Sequence, residues 1–541
     1  MCSKLNKDII SEILEYLNEE SSTTSLYSCI LINRTWCSIT MPIIWENPFL
    51  FNQNTSFKII QTLISNLNEE EIIKLMKKTN HSLDFIIKKP LFKYQNFIKE
   101  ININNLEYLI ELHYNYFYTN IPTNIDLEIF TRNLLLNMIF KTNFNIKKLI
   151  FHFNYKNYFK YKKNNFLEIL INNNLLKNSL KNLKNFEINI YFINFSNLFN
   201  LIYQREIIEI INYISNLLIN FFNKLSKIFF NIKNLTIYIE LNNIESLLFK
   251  KKICEAYSQL IENQKNLLYL EMNEFFDYSI FTKSLITQSN SLTTLKINYL
   301  RNINKLLLIL SKCTNLITLE LTEYFEIDQE EEEEEEEVKQ IYIENLIIFQ
   351  LIITDKRHFI YFMKSLLKFS FKIKKLILEF ISFELLDIIK LYCSNSLEYF
   401  SLKVIPNDIM KLCETLLSFE ILNSLIIIEW LGDNDFPISL QALILLANSL
   451  PKTLKFLGIR TFCNSINFKK FLFNINVNII ELDIYKSLDD EFINIIIQYV
   501  LEKNRNLKIL GYLNVRNNNN FSRINELIPT IKEVKSYHIY F

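Results

Sequence analysis

The stretch that decides the fold is Leu292-Thr293-Thr294-Leu295-Lys296-Ile297, which returns about 24 residues later as Leu316-Ile317-Thr318-Leu319-Glu320-Leu321. Both copies carry apolar residues at the first, fourth and sixth positions. Alternation of the last two apolar residues with a polar one indicates a strand that buries one side. The polar residue between them, which is Lys296 in the first copy, should therefore face solvent.

This pattern recurs through most of the chain, and apolar spacing between the copies becomes helical. The other copies are Ile98/Ile101/Ile103, Ile146/Leu149/Phe151, Leu183/Phe186/Ile188, Ile232/Leu235/Ile237, Leu267/Leu270/Met272, Leu346/Phe349/Leu351, Ile373/Leu376/Leu378, Leu397/Phe400/Leu402, Leu422/Leu425/Ile427, Leu454/Leu457/Ile459, Ile479/Leu482/Ile484 and Leu507/Leu510/Tyr512. The helical stretches are Ile303 to Cys313, Phe359 to Phe371, Phe383 to Cys393, Ile409 to Leu417 and Leu440 to Leu450. Each unit is predicted to be a strand followed by a helix. Because one unit cannot bury its own apolar side, neighbouring units should stack into a solenoid.

A strand signature that returns every roughly 20 to 29 residues is typical of leucine-rich repeats, and residues 94–541 resemble such an array. The predicted fold class is α/β, with an irregular horseshoe-shaped solenoid whose strands line the concave side. The Asn or Cys expected three residues after the last Leu of each strand is nearly always missing, and Leu300 and Tyr324 are found there. The sequence therefore predicts irregular curvature and no regular asparagine ladder.

Ten strand residues should be exposed on the concave face by the same alternation, and they are candidate contacts for a protein target. They are Thr236, Glu271, Lys296, Glu320, Gln350, Ser401, Lys403, Arg460, Asp483 and Tyr485. The alternative is that these are ordinary solvated positions, because a minority of interface residues usually dominates binding.

The first fifty residues have a different pattern, of three short apolar helices. Ile9, Ile10, Ile13, Leu14 and Leu17 recur at helical spacing after Asn6, which can cap the helix start. A second helix should begin at Thr23 or Thr24, and a third element carries Trp36 to Trp45. So small a domain cannot bury this much apolar surface within itself, so the sequence predicts a partner surface.

The order Leu5 to Leu17, then Leu31-Ile32-Asn33-Arg34-Thr35-Trp36, then Pro42-Ile43-Ile44-Trp45, resembles an F-box. This resemblance implies a helical trio that binds a Skp1-type adaptor and, through it, a cullin. Ile32 and Trp36 take the family's Val and Trp places, whereas Asn6 replaces the usual Pro. The implied adaptor-binding or core residues are Leu5, Ile9, Ile13, Leu14, Leu17, Leu26, Ile32, Trp36 and Trp45. The alternative is a compact three-helix cap with no adaptor.

Composition excludes several other classes of function. The formal net charge is +1, which gives no general support for nucleic-acid or membrane binding. Only three glycines occur, so Gly-rich nucleotide loops and nucleophile elbows are excluded. Eight cysteines without a C-x-x-C pair and five scattered histidines predict buried thiols and no metal site. The start has no apolar signal segment, and the chain has no apolar run long enough for a bilayer, so we expect a cytoplasmic or nuclear protein.

Two local stretches have a functional and a simpler interpretation. Glu330 to Glu337, within the acidic insertion 328–337, could capture a basic target sequence or bind divalent cations, but a solvated insertion between repeats is favoured. Tyr155 to Lys163 interleaves aromatic residues with lysines, as single-strand nucleic-acid grooves do. A surface loop is favoured there because no RNA-binding module surrounds it.

The domain prediction is an F-box-like module at 1–48, a helical linker at 49–93 and a repeat solenoid at 94–541. The predicted function is substrate recognition within a Skp1–cullin–F-box ubiquitin ligase, with no cofactor and no catalysis by this chain. The alternative is a repeat scaffold whose N-terminal helices only cap the solenoid. An enzyme is the least supported class, because no catalytic residue can be nominated.

Overall fold

The computed structural model describes most of the 541-residue chain. The residues described are 6–19, 23–50, 56–79, 89–117, 125–143, 145–154, 179–191, 204–240, 247–272, 278–300, 303–325, 343–349, 356–370, 372–378, 381–404, 408–429, 439–460, 464–487, 490–513, 531 and 533–537. Leu5, Gln350, the acidic run 330–337 and the stretch 155–163 lie outside these ranges. The chain divides into two compact units, Met1–Gln288 and Ser289–Phe541.

Unit 1 begins with helices and continues as alternating strands and helices. Its helices are α1 Lys7–Glu19, α2 Thr23–Ile30, α3 Arg34–Ile44, α4 Ser56–Ile64, α5 Glu69–Thr79, α6 Ile103–Phe117, α7 Ile125–Thr142, α8 Gln204–Ile228, α9 Leu247–Glu262 and α10 Tyr278–Thr287. Its strands are β1 Glu100–Asn102, β2 Lys148–Asn154, β3 Asn185–Tyr191, β4 Asn234–Glu240 and β5 Tyr269–Met272. Each strand pairs in parallel with the next one along the chain.

Unit 2 repeats the same strand–helix order. Its strands are β6 Thr294–Leu300, β7 Thr318–Phe325, β8 Asn345–Phe349, β9 Lys375–Leu378, β10 Tyr399–Val404, β11 Ser424–Glu429, β12 Phe456–Arg460, β13 Glu481–Ser487, β14 Ile509–Leu513 and β15 Glu533–Tyr537. Its helices are α11 Ile303–Lys312, α12 Lys356–Phe369, α13 Phe383–Cys393, α14 Ile409–Leu416, α15 Leu440–Asn448, α16 Ser465–Phe473 and α17 Asp490–Glu502. The strands again pair in parallel and in sequence order.

The register of the strands explains why the apolar pattern builds a core. The middle apolar residue of each repeat pairs with the middle residue of the next, so that Leu295 faces Leu319 and Leu319 faces Leu346. All three side chains are fully buried. Since the copies bury the same positions wherever burial is described, each strand stabilises its neighbours in one register. The chain is therefore an α/β protein built from a solenoid-like repeat, as the sequence predicts.

The predicted repeats are confirmed with two corrections. The first correction concerns the predicted copy Leu346/Phe349/Leu351. Leu346 pairs with Leu319, which is the middle residue of its own copy. Leu346 is therefore the middle residue and not the first, and the predicted register is wrong by three positions. Ile343, rather than Leu346, fills the first position and is 1% exposed. The sequence also missed strand β15, because Ser536 stands where the third apolar residue of the pattern is expected.

Buried amides anchor the turns between helices and strands. Gln264 donates from Nε2 to the Phe229 carbonyl oxygen (3.0 Å), and its Oε1 accepts the Ile232 backbone N–H (3.0 Å). Gln288 donates in the same way to the Gln264 carbonyl at 2.8 Å. In unit 2, Asn504 donates to the Ile479 carbonyl at 2.8 Å. Each amide thus satisfies backbone groups of the preceding repeat, which would otherwise be buried without hydrogen bonds.

The segment predicted as a helical linker packs as part of unit 1. Helix α4 lies against α6, and α5 lies against α7. Ile60 and Leu63 of α4 and Leu75 of α5 are fully buried. These contacts fix α4 and α5 to the helices of the first repeats.

Candidate protein-interaction surfaces

Helix α1 carries two apolar stripes, and only one of them is buried. Ile10 and Leu14 are 2% and 0% exposed and form the inner stripe. The outer stripe begins one position earlier, at Ile9, and continues at i+4 and i+7 with Ile13 and Tyr16. These three side chains are 44%, 38% and 60% exposed. A helix on a protein surface normally presents polar residues on its outer side. The second stripe is therefore an apolar surface available for a partner.

The turn between α2 and α3 adds two exposed apolar side chains. Leu31 is 86% exposed and Ile32 is 54% exposed. Asn33 Oδ1 accepts the backbone N–H groups of Thr35 (2.9 Å) and Trp36 (3.0 Å), which fixes the start of α3 directly after this turn. Helices α1, α2 and α3 pack on one another, so the exposed stripe and this turn belong to one three-helix module.

Three of the residues that the resemblance implies to be adaptor-binding or core residues are packed inside the protein. Leu14, Leu26 and Trp45 are each at most 9% exposed, so they are core residues in this fold. Leu17 and Trp36 are half-buried. The structure therefore assigns surface positions to Ile9, Ile13 and Ile32, and adaptor binding by these residues stays a prediction.

Trp45 instead joins the three-helix module to the repeats. Its ring lies against Tyr94, with ring centroids 4.4 Å apart. The neighbouring Glu46 accepts the backbone N–H groups of Lys99 (2.9 Å) and Glu100 (3.0 Å) at its carbonyl, and its carboxylate pairs with Lys99 Nζ at 2.7 Å. Strand β1 begins at Glu100, so the module is attached directly at the first strand.

The second surface is the open face of each sheet, by which we mean the side opposite the buried strand residues. In unit 1 this face is polar. Glu187, Thr236 and Glu271 lie side by side on β3, β4 and β5. His152 Nε2 lies 3.3 Å from Glu187 Oε1, and Asn189 donates to the same oxygen at 3.0 Å. The hydrogen bond from His152 is the largest of the effects that lower the pKa of the Glu187 carboxyl.

Sequence reasoning identified Thr236 and Glu271 on this face but missed Glu187 and His152. The alternation rule already contains the signal for Glu187, because it stands between the buried residues Phe186 and Ile188. The contact of His152 with Glu187 joins residues far apart in sequence, and only the pairing of β2 with β3 brings them together.

In unit 2 the open face begins with an ion pair, in which Lys296 Nζ lies 2.7 Å from Glu320 Oε2. Lys403 and Arg460 are half-buried on β10 and β12, as predicted for this face. The backbone of Tyr485 lies in β13. On β8, Ile347 pairs with Glu320. Ile347 therefore occupies the open-face position that the sequence pattern had assigned to Gln350.

Ser401 and Asp483 also lie on this face, but the prediction that they are exposed is wrong, because they are 8% and 3% exposed. The Tyr399 hydroxyl bonds the Ser401 side chain. Burial raises the pKa of Tyr399, and the negative charge of nearby Asp483 adds to this effect. Tyr399 and Ser401 therefore form a hydrogen-bonded pair on β10, and Asp483 is buried separately on β13.

The cysteines described by the structure are mostly packing residues. Cys29, Cys254, Cys313, Cys393 and Cys413 are buried, and Cys37 is half-buried. Burial raises the pKa of Cys313 and of Cys393 to about 12, so these thiols stay protonated at neutral pH and are poor nucleophiles. Within the described ranges, no group of three His, Cys, Asp or Glu side chains is arranged to hold a metal ion.

None of the helices in the described ranges has the length and apolar character needed to cross a membrane. Comparison of the chain with models of known protein families gave no match, and comparison with curated proteins gave none either. Functional inference therefore rests on the two surfaces themselves.

Proposed function

We propose that this protein is the target-binding subunit of a Skp1–cullin–F-box ubiquitin ligase. In this proposal helices α1, α2 and α3 are an F-box that binds a Skp1-type adaptor, and the repeats are leucine-rich repeats that bind the target. The chain supplies proximity between the target and the ubiquitin-charged enzyme rather than bond chemistry.

The observation that carries this proposal is the exposed apolar surface of the three-helix module. Ile9, Ile13, Tyr16, Leu31 and Ile32 are all large and are between 38% and 86% exposed. Burying such a side chain completely stabilises a complex by about 1.5 to 3 kcal/mol, so burying the exposed parts of five gives a substantial driving force. Apolar surface of this kind marks protein-binding sites. Its position matches the residues that carry the F-box resemblance.

The attachment of this module at β1 also supports a receptor role. Trp45, Glu46 and Asn47 contact Tyr94, Lys99 and Glu100 through ring packing, an ion pair and hydrogen bonds. A joint made of several such contacts holds the adaptor-binding surface at a fixed distance from the first repeats. A ligase subunit needs this geometry, because transfer requires the target lysine to be held near the charged enzyme.

One observation favours a second candidate, a repeat scaffold without an adaptor. The Glu46 carbonyl accepts hydrogen bonds from Lys99 and Glu100 where β1 begins, so the helices cap the first strand as well as presenting an apolar surface. Terminal caps are a general need of repeat proteins. A scaffold needs no partner for Ile9 or Leu31, and this is where the two candidates differ.

The experiment is calorimetric titration of the full chain with a purified Skp1-type adaptor. We expect binding, and Ile9→Asp and Leu31→Asp should each weaken it by about tenfold or more, because a charge would be buried in an apolar interface. The matched control is Leu391→Asp, which replaces a 69% exposed leucine on α13. It should leave adaptor binding unchanged. Absence of binding by the wild-type chain would reject the ligase proposal and leave the scaffold.

A further inference from the structure

The exposed apolar stripe of α1 borders a second exposed stripe, which is acidic. Asp8, Glu12 and Glu15 recur at i, i+4 and i+7 and are all exposed, and we call these three residues the acidic stripe. Successive residues of an α-helix lie about 100° apart around its axis, so the acidic stripe runs beside Ile9 and Ile13. The buried stripe of α1 lies on the other side of these isoleucines. The exposed apolar surface therefore has the core of the module along one edge and carboxylates along the other.

No ion pair neutralises the acidic stripe among the residues that the structure describes. Asp8 accepts a hydrogen bond from the neutral side chain of Asn6 (3.2 Å), and the last turn of α1 contains no basic residue. Helix α5 differs, because Lys74 Nζ pairs there with Glu70 at 2.6 Å. Like charges four residues apart, such as Asp8 and Glu12, destabilise a helix. Helix α1 therefore retains a repulsion that a cationic partner would remove.

The charge of the whole N-terminal segment has the same sign as the acidic stripe. Residues 1–50 contain six acidic residues and three basic ones, a net charge of −3, whereas the full chain carries +1. Two of the basic residues are Lys7, which lies on the side of the acidic stripe away from the isoleucines, and Arg34, which begins α3. The apolar surface thus belongs to an acidic part of a nearly neutral chain, and this favours a partner of positive charge.

We propose that α1 binds a helix of a partner protein that carries lysine or arginine along the border of its apolar face. Apolar side chains of that helix cover Ile9 and Ile13, and its cations pair with Asp8, Glu12 and Glu15. Side chains at i±3 and i±4 form the ridges by which helices pack on each other, which favours a helix as the occupant. This inference rests on the proposed role of the module as a partner-binding surface, and it names the charge that the partner must carry.

The experiment measures fluorescence anisotropy of labelled helical peptides with the full chain and no adaptor. The two probes share an apolar face of leucines at i, i+3, i+4 and i+7. One carries lysine along both borders of this face, and the other carries glutamate there. The lysine peptide should bind at least about tenfold more tightly at low ionic strength, because its charges meet the acidic stripe. Raising the salt concentration from about 0.05 M to about 0.5 M should reduce this preference, because exposed charges are screened.

The variant Glu12→Lys with Glu15→Lys should reverse the preference, so that the glutamate peptide becomes the tighter ligand. The matched control is Glu255→Lys with Glu420→Lys, which makes the same change in net charge at exposed positions on α9 and after α14. It should change the affinity for either peptide by less than about threefold. A neutral pair, Glu12→Gln with Glu15→Gln, should reduce the preference without reversing it and keeps the test valid if charge reversal prevents folding.

Ile13→Ser tests the apolar half of the surface. It should weaken binding of the lysine peptide by about fivefold or more, because a partly exposed aliphatic side chain no longer contributes apolar area to the complex. The salt dependence should stay the same, because the acidic stripe is intact. An unchanged affinity would show that charge attraction alone holds the peptide, and this would overturn the inference.

Three further results would overturn the inference. The first is equal affinity of the wild-type chain for the two peptides, and the second is the same change of preference in the control variant as in the charge reversal. The third is binding of the lysine peptide that survives the charge reversal but is lost when Glu330 to Glu337 are replaced by glutamine, which would place the peptide on the acidic run. Preference for the lysine peptide without adaptor binding would reject the ligase proposal and keep this inference, and adaptor binding with equal peptide affinities would do the reverse.

Discussion

The rings of Trp45 and Tyr94 pack with centroids 4.4 Å apart and an angle of 40° between their planes. Tyr94 in turn meets Phe97 edge to face, with centroids 6.3 Å apart. Trp45 directly follows α3, and Tyr94 and Phe97 precede β1, so this aromatic group lies where the three-helix module meets the first strand. The last Trp of the F-box-like sequence is therefore a joint between two parts of unit 1.

Replacing Trp45 with alanine should lower the free energy of unfolding by roughly 3 to 5 kcal/mol, because a buried ring and its aromatic contacts are lost. Chemical denaturation of the full chain, followed by circular dichroism, measures this loss. The control is Trp36→Ala, whose half-buried ring should contribute less to stability. If both substitutions lower the free energy of unfolding by the same amount, the contact between Trp45 and Tyr94 has no special role in stability.

The buried amides lead to a second prediction about stability. Gln264→Leu removes the side-chain oxygen that accepts the Ile232 N–H and the donor to the Phe229 carbonyl. Because these backbone groups are buried, leaving one unsatisfied costs about 1 to 3 kcal/mol of unfolding free energy. Urea denaturation should show this loss. The control Gln498→Leu removes only an exposed hydrogen bond to Glu502 and should change stability by less than about 0.5 kcal/mol.

The repeats could be predicted from sequence because each strand buries the same positions in one register. The predicted register was wrong for β8, because two overlapping apolar patterns fit its sequence. Ile343/Leu346/Ile348 and Leu346/Phe349/Leu351 both fit the rule, and only the pairing of Leu346 with Leu319 selects the first. Periodicity alone cannot choose between patterns that share a residue, because the choice depends on contacts with the neighbouring strand.

The site residues were harder to predict, for a related reason. The spacing of Ile9, Ile13 and Tyr16 on α1 is the same as that of Ile10, Leu14 and Leu17. Sequence showed one wide apolar surface, whereas packing against α2 and α3 decides which stripe is buried. Likewise, alternation placed Asp483 on the open face, but in the folded protein this side chain is only 3% exposed.

The contact between Glu187 and His152 gives a prediction about pH. The hydrogen bond from His152 is the main cause that lowers the pKa of Glu187 below its ordinary value of 4.5, and the charge of His152, the hydrogen bond from Asn189 and the charge of Lys148 act in the same direction. Partial burial opposes them. The folded protein therefore stabilises the ionised carboxylate relative to the unfolded chain.

This contribution to stability is complete above the ordinary pKa and is lost as the pH falls through the lower folded-state pKa. Glu187→Gln should therefore reduce the unfolding free energy at pH 7 by less than about 1 kcal/mol, because the pair is partly exposed. The difference between wild type and variant should shrink as the pH is lowered below 4.5. Urea denaturation of both proteins at neutral and acidic pH measures this difference. His152→Gln, which alters the main hydrogen-bond donor, should also reduce the pH dependence, whereas a difference that is the same at every pH would show that the carboxylate of Glu187 contributes nothing through its charge.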